Sequence, residues 1–160
     1  MIGTRRSRMA LVVMLLGTAA AQAGVERVVG LDEVPAALRE RAARLLPGAH
    51  FVTANTETEA DGTVIYELQG RLADGRGVEV DLFANGEVEE FEIEFTAALV
   101  PDAVLQAVAA RYPGFQPSLI EATHSETKKV IGYEFLGELD GQEVDLDVSA
   151  DGRRIELADR

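Results

Sequence analysis

Apolar side chains recur along this chain at two different spacings, and the change of spacing separates predicted helices from predicted strands. Leu38, Ala42 and Leu45 recur at helical spacing, which places them on one face of a helix. Val78 and Val80 alternate with acidic residues, which is typical of a strand with one buried face. The pattern therefore predicts an amphipathic helix that is followed by half-buried strands.

The same succession is predicted twice, at positions about 66 residues apart. Val34-Pro35 recurs as Val100-Pro101 before the predicted helices, and Pro47-Gly48 recurs as Pro113-Gly114 after them. Proline is favoured at the first position of a helix, and glycine is favoured just beyond its end. We therefore expect Pro35 and Pro101 to be the first helical residues, and each helix to span about twelve residues.

Alternating runs follow each predicted helix, and turn pairs such as Asp-Gly and Asn-Gly separate them, as tight hairpins require. These runs cover residues 64–72, 78–82 and 91–95, and again 131–139, 144–148 and 155–157. One more strand with poorer alternation is expected after each helix, at 50–58 and 116–125. The predicted fold class is α+β, with two tandem units of one helix and a four-stranded antiparallel meander. The helices should pack on one face of the sheet or sheets.

The first 23 residues have the features of an export signal. Arg5, Arg6 and Arg8 precede an apolar core at residues 9–18, and Ala21-Gln22-Ala23 is a small-x-small cleavage pattern. A core of about ten residues is too short to span a membrane. The chain contains no cysteine, which excludes a lipoprotein anchor and a disulfide framework. We predict a periplasmic protein without a membrane span, divided into a signal peptide cleaved after about Ala23 (1–23), repeat 1 (24–97) and repeat 2 (98–160).

The predicted mature chain is strongly acidic. Three of the 15 Lys and Arg residues lie in the leader, so 12 basic residues oppose 28 acidic ones and the net charge is −16. Nucleic-acid binding depends on basic groups that neutralise phosphates, so this class of function is excluded. An anionic membrane surface is disfavoured for the same reason. A cationic partner, a metal ion or solubility alone remain as explanations of the charge.

Most of these acids alternate with the apolar residues, so we expect them on the sheet face opposite the helices, in contact with water. Like charges on neighbouring strands repel one another, so something should offset a surface of this kind. The candidate partner-binding residues are Glu67, Glu79, Asp81, Glu90, Glu92, Glu94, Glu134, Glu138, Glu143, Asp145, Asp147 and Glu156.

Three explanations of this acidic face stay open. The charge could keep an exposed sheet from pairing with its neighbours, it could dock a basic protein or peptide of the cell envelope, or it could bind a divalent cation. Asp145, Asp147 and Asp151 superficially suggest calcium, but alternate strand positions spread ligands along a ladder, and EF-hand spacing is absent. We therefore assign no metal ligands from the sequence.

Candidate catalytic residues are few. Thiol chemistry is excluded, and His50 and His124 are the only histidines. Ser118 and Ser125 lie near His124 in the sequence, but no nucleophile elbow, zinc-binding helix or phosphate-binding glycine loop accompanies them. Both histidines are expected at the surface or at strand ends. We expect neither catalytic residues nor a cofactor, and a hydrolase that uses His124 is the least favoured alternative.

Several short motifs occur in the same order in both halves. The helix ends in Leu46-Pro47-Gly48 or Tyr112-Pro113-Gly114, and a strand with Tyr66-Glu67 or Tyr133-Glu134 follows. The later turns are Ala84-Asn85-Gly86 and Ala150-Asp151-Gly152. This order resembles the PepSY-like family of small exported bacterial proteins, whose modules are similar to the halves of beta-lactamase inhibitor protein. The resemblance implies two tandem copies of a periplasmic binding or inhibitory module, with no catalytic residues to carry over.

Overall fold

The computed structural model describes residues 25–158 and shows an α+β protein, in which one nine-stranded sheet carries two α-helices. The predicted signal peptide lies outside the described residues. The helices are α1 (Ala36–Leu45) and α2 (Asp102–Arg111), and a short 3-10 helix (Ala97–Leu99) precedes α2. The strands are β1 (Val25–Val29), β2 (His50–Thr58), β3 (Val64–Arg71), β4 (Gly77–Phe83), β5 (Val88–Glu94), β6 (Gln116–His124), β7 (Val130–Leu139), β8 (Gln142–Ser149) and β9 (Ile155–Leu157). Neither α-helix is long and apolar enough to cross a membrane.

The strands lie in the sheet in the order in which they occur in the chain, and every neighbouring pair is antiparallel. The two halves share this sheet, because β5 pairs with β6 from Phe91↔His124 to Glu94↔Glu121. Strand β1 was not predicted. Its residues Val25 and Val28 are exposed, and it joins the sheet by pairing along the edge of β2.

Both helices begin one residue later than predicted and contain ten residues. Pro35 has φ −51° and ψ 133°, so its backbone is extended and it precedes the helix as the capping residue. Its carbonyl oxygen accepts a hydrogen bond from the Leu38 N–H at 2.9 Å, and that of Pro101 accepts one from Val104 at the same distance. Each proline therefore provides an acceptor for the first turn without belonging to it.

The helices pack against one face of the sheet and form two apolar cores. In the first core, α1 packs on β2 to β5; in the second, α2 packs on β6 to β8. Burial of a Leu or Phe side chain contributes about 1.5–3 kcal/mol to stability. The central buried residues of the two cores are Leu38, Ala42, Leu45, Leu68, Val80, Leu82 and Phe91, and then Val104, Val108, Tyr133, Phe135, Leu146 and Val148.

Corresponding strands in the two halves carry a β-bulge opposite a glycine. The register of β2 shifts between Phe51 and Thr53, and a Cβ atom added to Gly70 would lie 2.2 Å from the His50 carbonyl oxygen. A Cβ atom added to Gly137 would lie 2.2 Å from the Gln116 carbonyl oxygen, beside the register shift in β6. No side chain fits at these two positions. Bulges of this kind bend the strand and increase its twist.

Candidate functional site

The sequence-predicted binding residues lie together on the sheet face that the helices leave uncovered. Glu67 on β3, for example, lies between Tyr66 and Leu68 in the sequence, and both of these residues pack in the helix-side core. Successive side chains of a strand point to opposite faces, so Glu67 points away from the helices. The strand register aligns the acids in rows, which are Glu67, Asp81 and Glu90; Glu79 and Glu92; Glu94, Glu121, Glu134, Asp147 and Glu156; and Glu138 with Glu143. We call these residues, together with Asp145, the carboxylate face.

The central acids of the carboxylate face are buried, which corrects the expectation that all of them contact water. Glu67, Glu79, Asp81, Glu92 and Glu134 have only 3–5% of their surface exposed. Neighbouring strands lie about 4.8 Å apart, so a side chain on an inner strand is flanked on both sides. Half-buried acids follow toward the margins (Glu90, Glu94, Asp145 and Asp147), and the exposed ones are Glu138, Glu143 and Glu156. A purely solvated face is therefore wrong for the central strands.

Glu67, Glu79 and Asp81 form the first carboxylate cluster, in which one oxygen of each residue lies within 4.8 Å of the other two. Neutral amides contact two of the three carboxylates. Gln69 Nε2 donates to Glu79 Oε2 at 2.8 Å, and Asn55, whose Nδ2 donates to Glu26 Oε1 at 2.9 Å, also forms a hydrogen bond with Glu67. Asp81 Oδ1 is buried and accepts no hydrogen bond from the described residues. The first cluster thus contains an acceptor whose burial is not compensated.

Glu92, Glu121 and Glu134 form the second carboxylate cluster, whose ligand oxygens are also within 4.8 Å of one another. Here the donors are different. Thr123 Oγ1 donates to Glu92 Oε1 at 3.1 Å, and Glu134 forms a hydrogen bond with Asp145. Two carboxylates can form such a bond only when one of them is protonated.

The pKa values of the central acids are raised, first by burial and then by the like charges around them. Burial and the charge of Glu79 raise the pKa of Glu67 to about 8. Burial, followed by Glu79 and Glu67, raises the pKa of Asp81 well above its usual range. The pKa of Glu121 rises to about 7, and that of Glu134 to about 12, where burial acts together with Glu92 and Asp145. At neutral pH the Glu134 side chain is therefore a neutral carboxylic acid that donates to Asp145.

Glu121 belongs to this site and was missed in the sequence. Its strand, β6, places two apolar residues in succession, Leu119 and Ile120, and this hides the alternation. The shorter run in which Ile120 and Ala122 alternate with Glu121 and Thr123 is the pattern that identifies it. Buried Ile120 and Ala122 belong to the helix-side core, so Glu121 lies on the carboxylate face.

The expectation that alternate strand positions spread carboxylates too far for an ion is wrong for β4. Glu79 and Asp81 occupy such positions, and their oxygens still lie within 4.8 Å of each other and of Glu67 on the neighbouring strand. Asp151, by contrast, lies in the β8–β9 turn, where it accepts hydrogen bonds from the Ser149 hydroxyl at 2.8 Å and from the Arg153 N–H at 3.1 Å. These bonds give Asp151 a role in the turn itself.

His124 is at a strand end, as expected, but it is buried on the helix side of the sheet. Its ring stacks on Phe91 with a centroid distance of 4.8 Å, and its Nδ1 atom lies 2.7 Å from the Ala122 carbonyl oxygen. Burial lowers the pKa of His124. The Ser125 hydroxyl is hydrogen-bonded to Thr127 at 3.0 Å. This arrangement gives His124 a packing role between the two cores and does not support a hydrolase.

The chain matches no protein-family model and no curated protein, so membership of the PepSY-like family stays a prediction. Its fold is similar to that of two solved proteins. A BLIP-like protein from Bacteroides fragilis aligns over 79% of this chain and 87% of that chain, with 22% identity and a TM-score of 0.57. A DUF2874 family protein from Bacteroides uniformis aligns over 78% of this chain and 89% of that chain, with 15% identity and a TM-score of 0.58. The predicted similarity to beta-lactamase inhibitor protein is thereby confirmed at the level of architecture: the chain has a BLIP-like fold.

Proposed function

We propose that this protein is a non-catalytic binding module, exported to the periplasm, that docks a basic protein or peptide of the cell envelope through the carboxylate face. The observation that carries the proposal is the continuity of this face. Directly opposed acids run from Glu94 on β5 across to Glu156 on β9, and further rows extend back to β3. With a net charge of −16 after removal of the predicted leader, the preferred partner is cationic.

The distribution of exposure on the face supports docking. Central acids are buried, and acids of intermediate or full exposure surround them on β5, β7, β8 and β9. Exposed charges at a margin steer an oppositely charged partner toward the surface and accelerate its association. Lys or Arg side chains that reach the central acids would form charge-assisted hydrogen bonds, which are roughly twice as strong as neutral ones.

We further infer that residues 24–97 and 98–160 are two tandem copies of one PepSY-like unit. Three features support this division. Each ten-residue helix follows a capping proline, each first strand after the helix carries a bulge opposite a glycine, and the same turn motifs recur in the sequence. A docking surface built from two such units would present a broad sheet face to a single partner.

A charge-neutralised variant tests the docking proposal. The triple variant Glu138→Gln, Glu143→Gln, Glu156→Gln removes exposed charges from the carboxylate face, and the control Glu40→Gln, Glu87→Gln, Glu126→Gln removes as many exposed charges elsewhere. The exported protein and both variants are used as baits in an envelope extract at low and high salt. A partner captured in this way is then purified and titrated against each of them.

We expect a partner that is released by salt and that binds the face variant about tenfold more weakly, because rim charges govern electrostatic association. The control should bind within about twofold of the wild type. Capture of no salt-sensitive partner, or equal affinities for the two triple variants, would contradict docking through this face.

A further inference from the structure

The first carboxylate cluster contains one feature that docking at the margins of the face leaves unexplained. Asp81 is 5% exposed, and its Oδ1 atom accepts no hydrogen bond from the described residues. A buried carboxylate oxygen without a donor destabilises a protein by several kcal/mol unless a cation or a proton compensates it. Such an atom in a native structure indicates a group that the protein itself does not supply.

We propose that Glu67, Glu79 and Asp81 bind one hard divalent cation, with Ca²⁺ as the preferred ion. Carboxylate oxygens alone form this ligand set, and hard cations prefer such ligands to the nitrogen and sulfur ligands that softer metals select. The site would exist whether or not the carboxylate face docks a partner.

The spacing of the three carboxylates fits an ion of this size. Ca²⁺ binds oxygens at about 2.3–2.6 Å, so two ligands on opposite sides of the ion lie roughly 4.8 Å apart. All three ligand oxygens lie within 4.8 Å of one another, which is inside that limit. Ca²⁺ takes six to eight oxygens, so bidentate carboxylates and water would supply the remaining positions.

Polar side chains around the cluster orient its outer members. Gln69 Nε2 donates to Glu79 Oε2 at 2.8 Å, and Asn55, which is itself buried, forms a hydrogen bond with Glu67. Amide donors behind metal-binding carboxylates fix the direction of the ligand oxygens. Asp81 lies directly opposite Glu67 and two positions from Glu79, and one of its carboxylate oxygens lies within 4.8 Å of an oxygen of each.

The second carboxylate cluster provides an internal control. Glu134 is protonated at neutral pH and donates to Asp145, and Thr123 donates to Glu92. Both clusters contain three buried carboxylates, but of these six residues only Asp81 has a buried side-chain oxygen without a hydrogen-bond partner among the described residues.

Calorimetric titration with Ca²⁺ tests the site on the exported protein, after treatment with a chelator and at pH 8.5, where a proton competes least for Glu67. Asp81→Asn removes one ligand from the first cluster, and Glu134→Gln makes the same chemical change in the second. Mn²⁺, which is paramagnetic, provides a second measurement: it broadens the NMR signals of side-chain amides close to where it binds.

We expect the wild type to bind one Ca²⁺, Asp81→Asn to bind it at least about tenfold more weakly, and Glu134→Gln to stay within about threefold. Mn²⁺ should broaden the Asn55 and Gln69 side-chain amides first. If Asp81→Asn does not fold, the Mn²⁺ experiment on the wild type decides. A flat Ca²⁺ trace, equal losses in both variants, binding of Zn²⁺ alone, or Mn²⁺ broadening that spares Asn55 and Gln69 would each overturn the proposal.

Discussion

One row of side chains in each half of the sheet can be compared position by position. In the first half Asn55 faces Glu67, which faces Asp81, and in the second half Glu121 faces Glu134, which faces Asp147. The neighbouring rows differ as well, because Gln69 faces Glu79 whereas Leu136 faces Asp145. The first half therefore has two amides where the second half has a carboxylate and a leucine.

This difference shows how a protein can satisfy buried carboxylates in two ways. Amides in the first half donate to Glu67 and Glu79, but no donor reaches Asp81 Oδ1 from the described residues. In the second half Leu136 can donate nothing, and a proton retained by Glu134 becomes the donor for Asp145. Retention of that proton follows from burial and crowding of like charge, which penalise the ionised form.

The largest effect is expected when the proton-carrying donor of the second half is deleted. Glu134→Ala should lower the free energy of unfolding by about 3 kcal/mol, because it leaves a buried void and removes the donor to Asp145. Glu134→Gln preserves both shape and donor, and should stay within about 1 kcal/mol of the wild type. Urea denaturation at pH 7 measures both. If the two variants are equally destabilised, Glu134 does not act as a neutral donor.

A smaller effect is expected from pH, and it distinguishes the two clusters. Glu67, with a pKa of about 8, and Glu121, with a pKa of about 7, bind protons more tightly in the folded chain than in the unfolded chain, where their pKa is about 4.3. Stability is therefore greatest when both are protonated and falls as pH rises through the folded pKa values. Between pH 6.5 and 8.5 we expect these two groups to contribute a loss on the order of 2 kcal/mol, and Glu134, whose pKa of about 12 lies above the window, to add a uniform downward slope.

Thermal unfolding in the presence of a chelator measures this pH dependence. Glu67→Gln should flatten the profile up to about pH 8, and Glu121→Gln only up to about pH 7, because each substitution removes the proton that is lost at that folded pKa. His124, whose pKa is lowered by burial, gives the opposite slope and acts mainly below about pH 6.5, outside the window. Stability that is constant or increases from pH 6.5 to 8.5 would contradict the raised pKa values.

Local patterns in the sequence predict most of the secondary structure. The helix at Ala36–Leu45 follows from its apolar spacing and its proline boundaries, and the strand at Gly77–Phe83 follows from strict alternation. Strand β1 could not be predicted in this way, because its valines do not alternate and two of the three, Val25 and Val28, are exposed. Its structure depends on the pairing of β2, which is remote in the sequence.

The side of the sheet on which an acid lies could be predicted, but its environment could not. Alternation places Glu79 and Asp81 opposite Val78 and Val80, as the structure has them. Their burial depends on which side chains flank them from β3 and β5, and this is set by strand register and not by local spacing. For the same reason, the sequence could not show that Asp81 Oδ1 has no hydrogen-bond donor among the described residues, because this depends on the side chains of three neighbouring strands.

The smallest expected effect concerns the hydrogen bond between Asn55 and Glu67. Asn55 faces Glu67 in the first half, whereas Glu121 faces Glu134 at the corresponding place in the second half. The bond from Asn55 is the one contact that lowers the pKa of Glu67, against burial and the charges of Glu79, Glu26 and Glu57. Asn55→Leu should therefore raise the pKa of Glu67 by about 0.5–1 unit, which carbon-13 NMR of the side-chain carboxyl measures directly. Thr123→Val removes a donor from the second cluster and should leave this value unchanged. If Asn55→Leu also leaves it unchanged, the amide is not a donor to Glu67, and the difference between the two rows must come from burial alone.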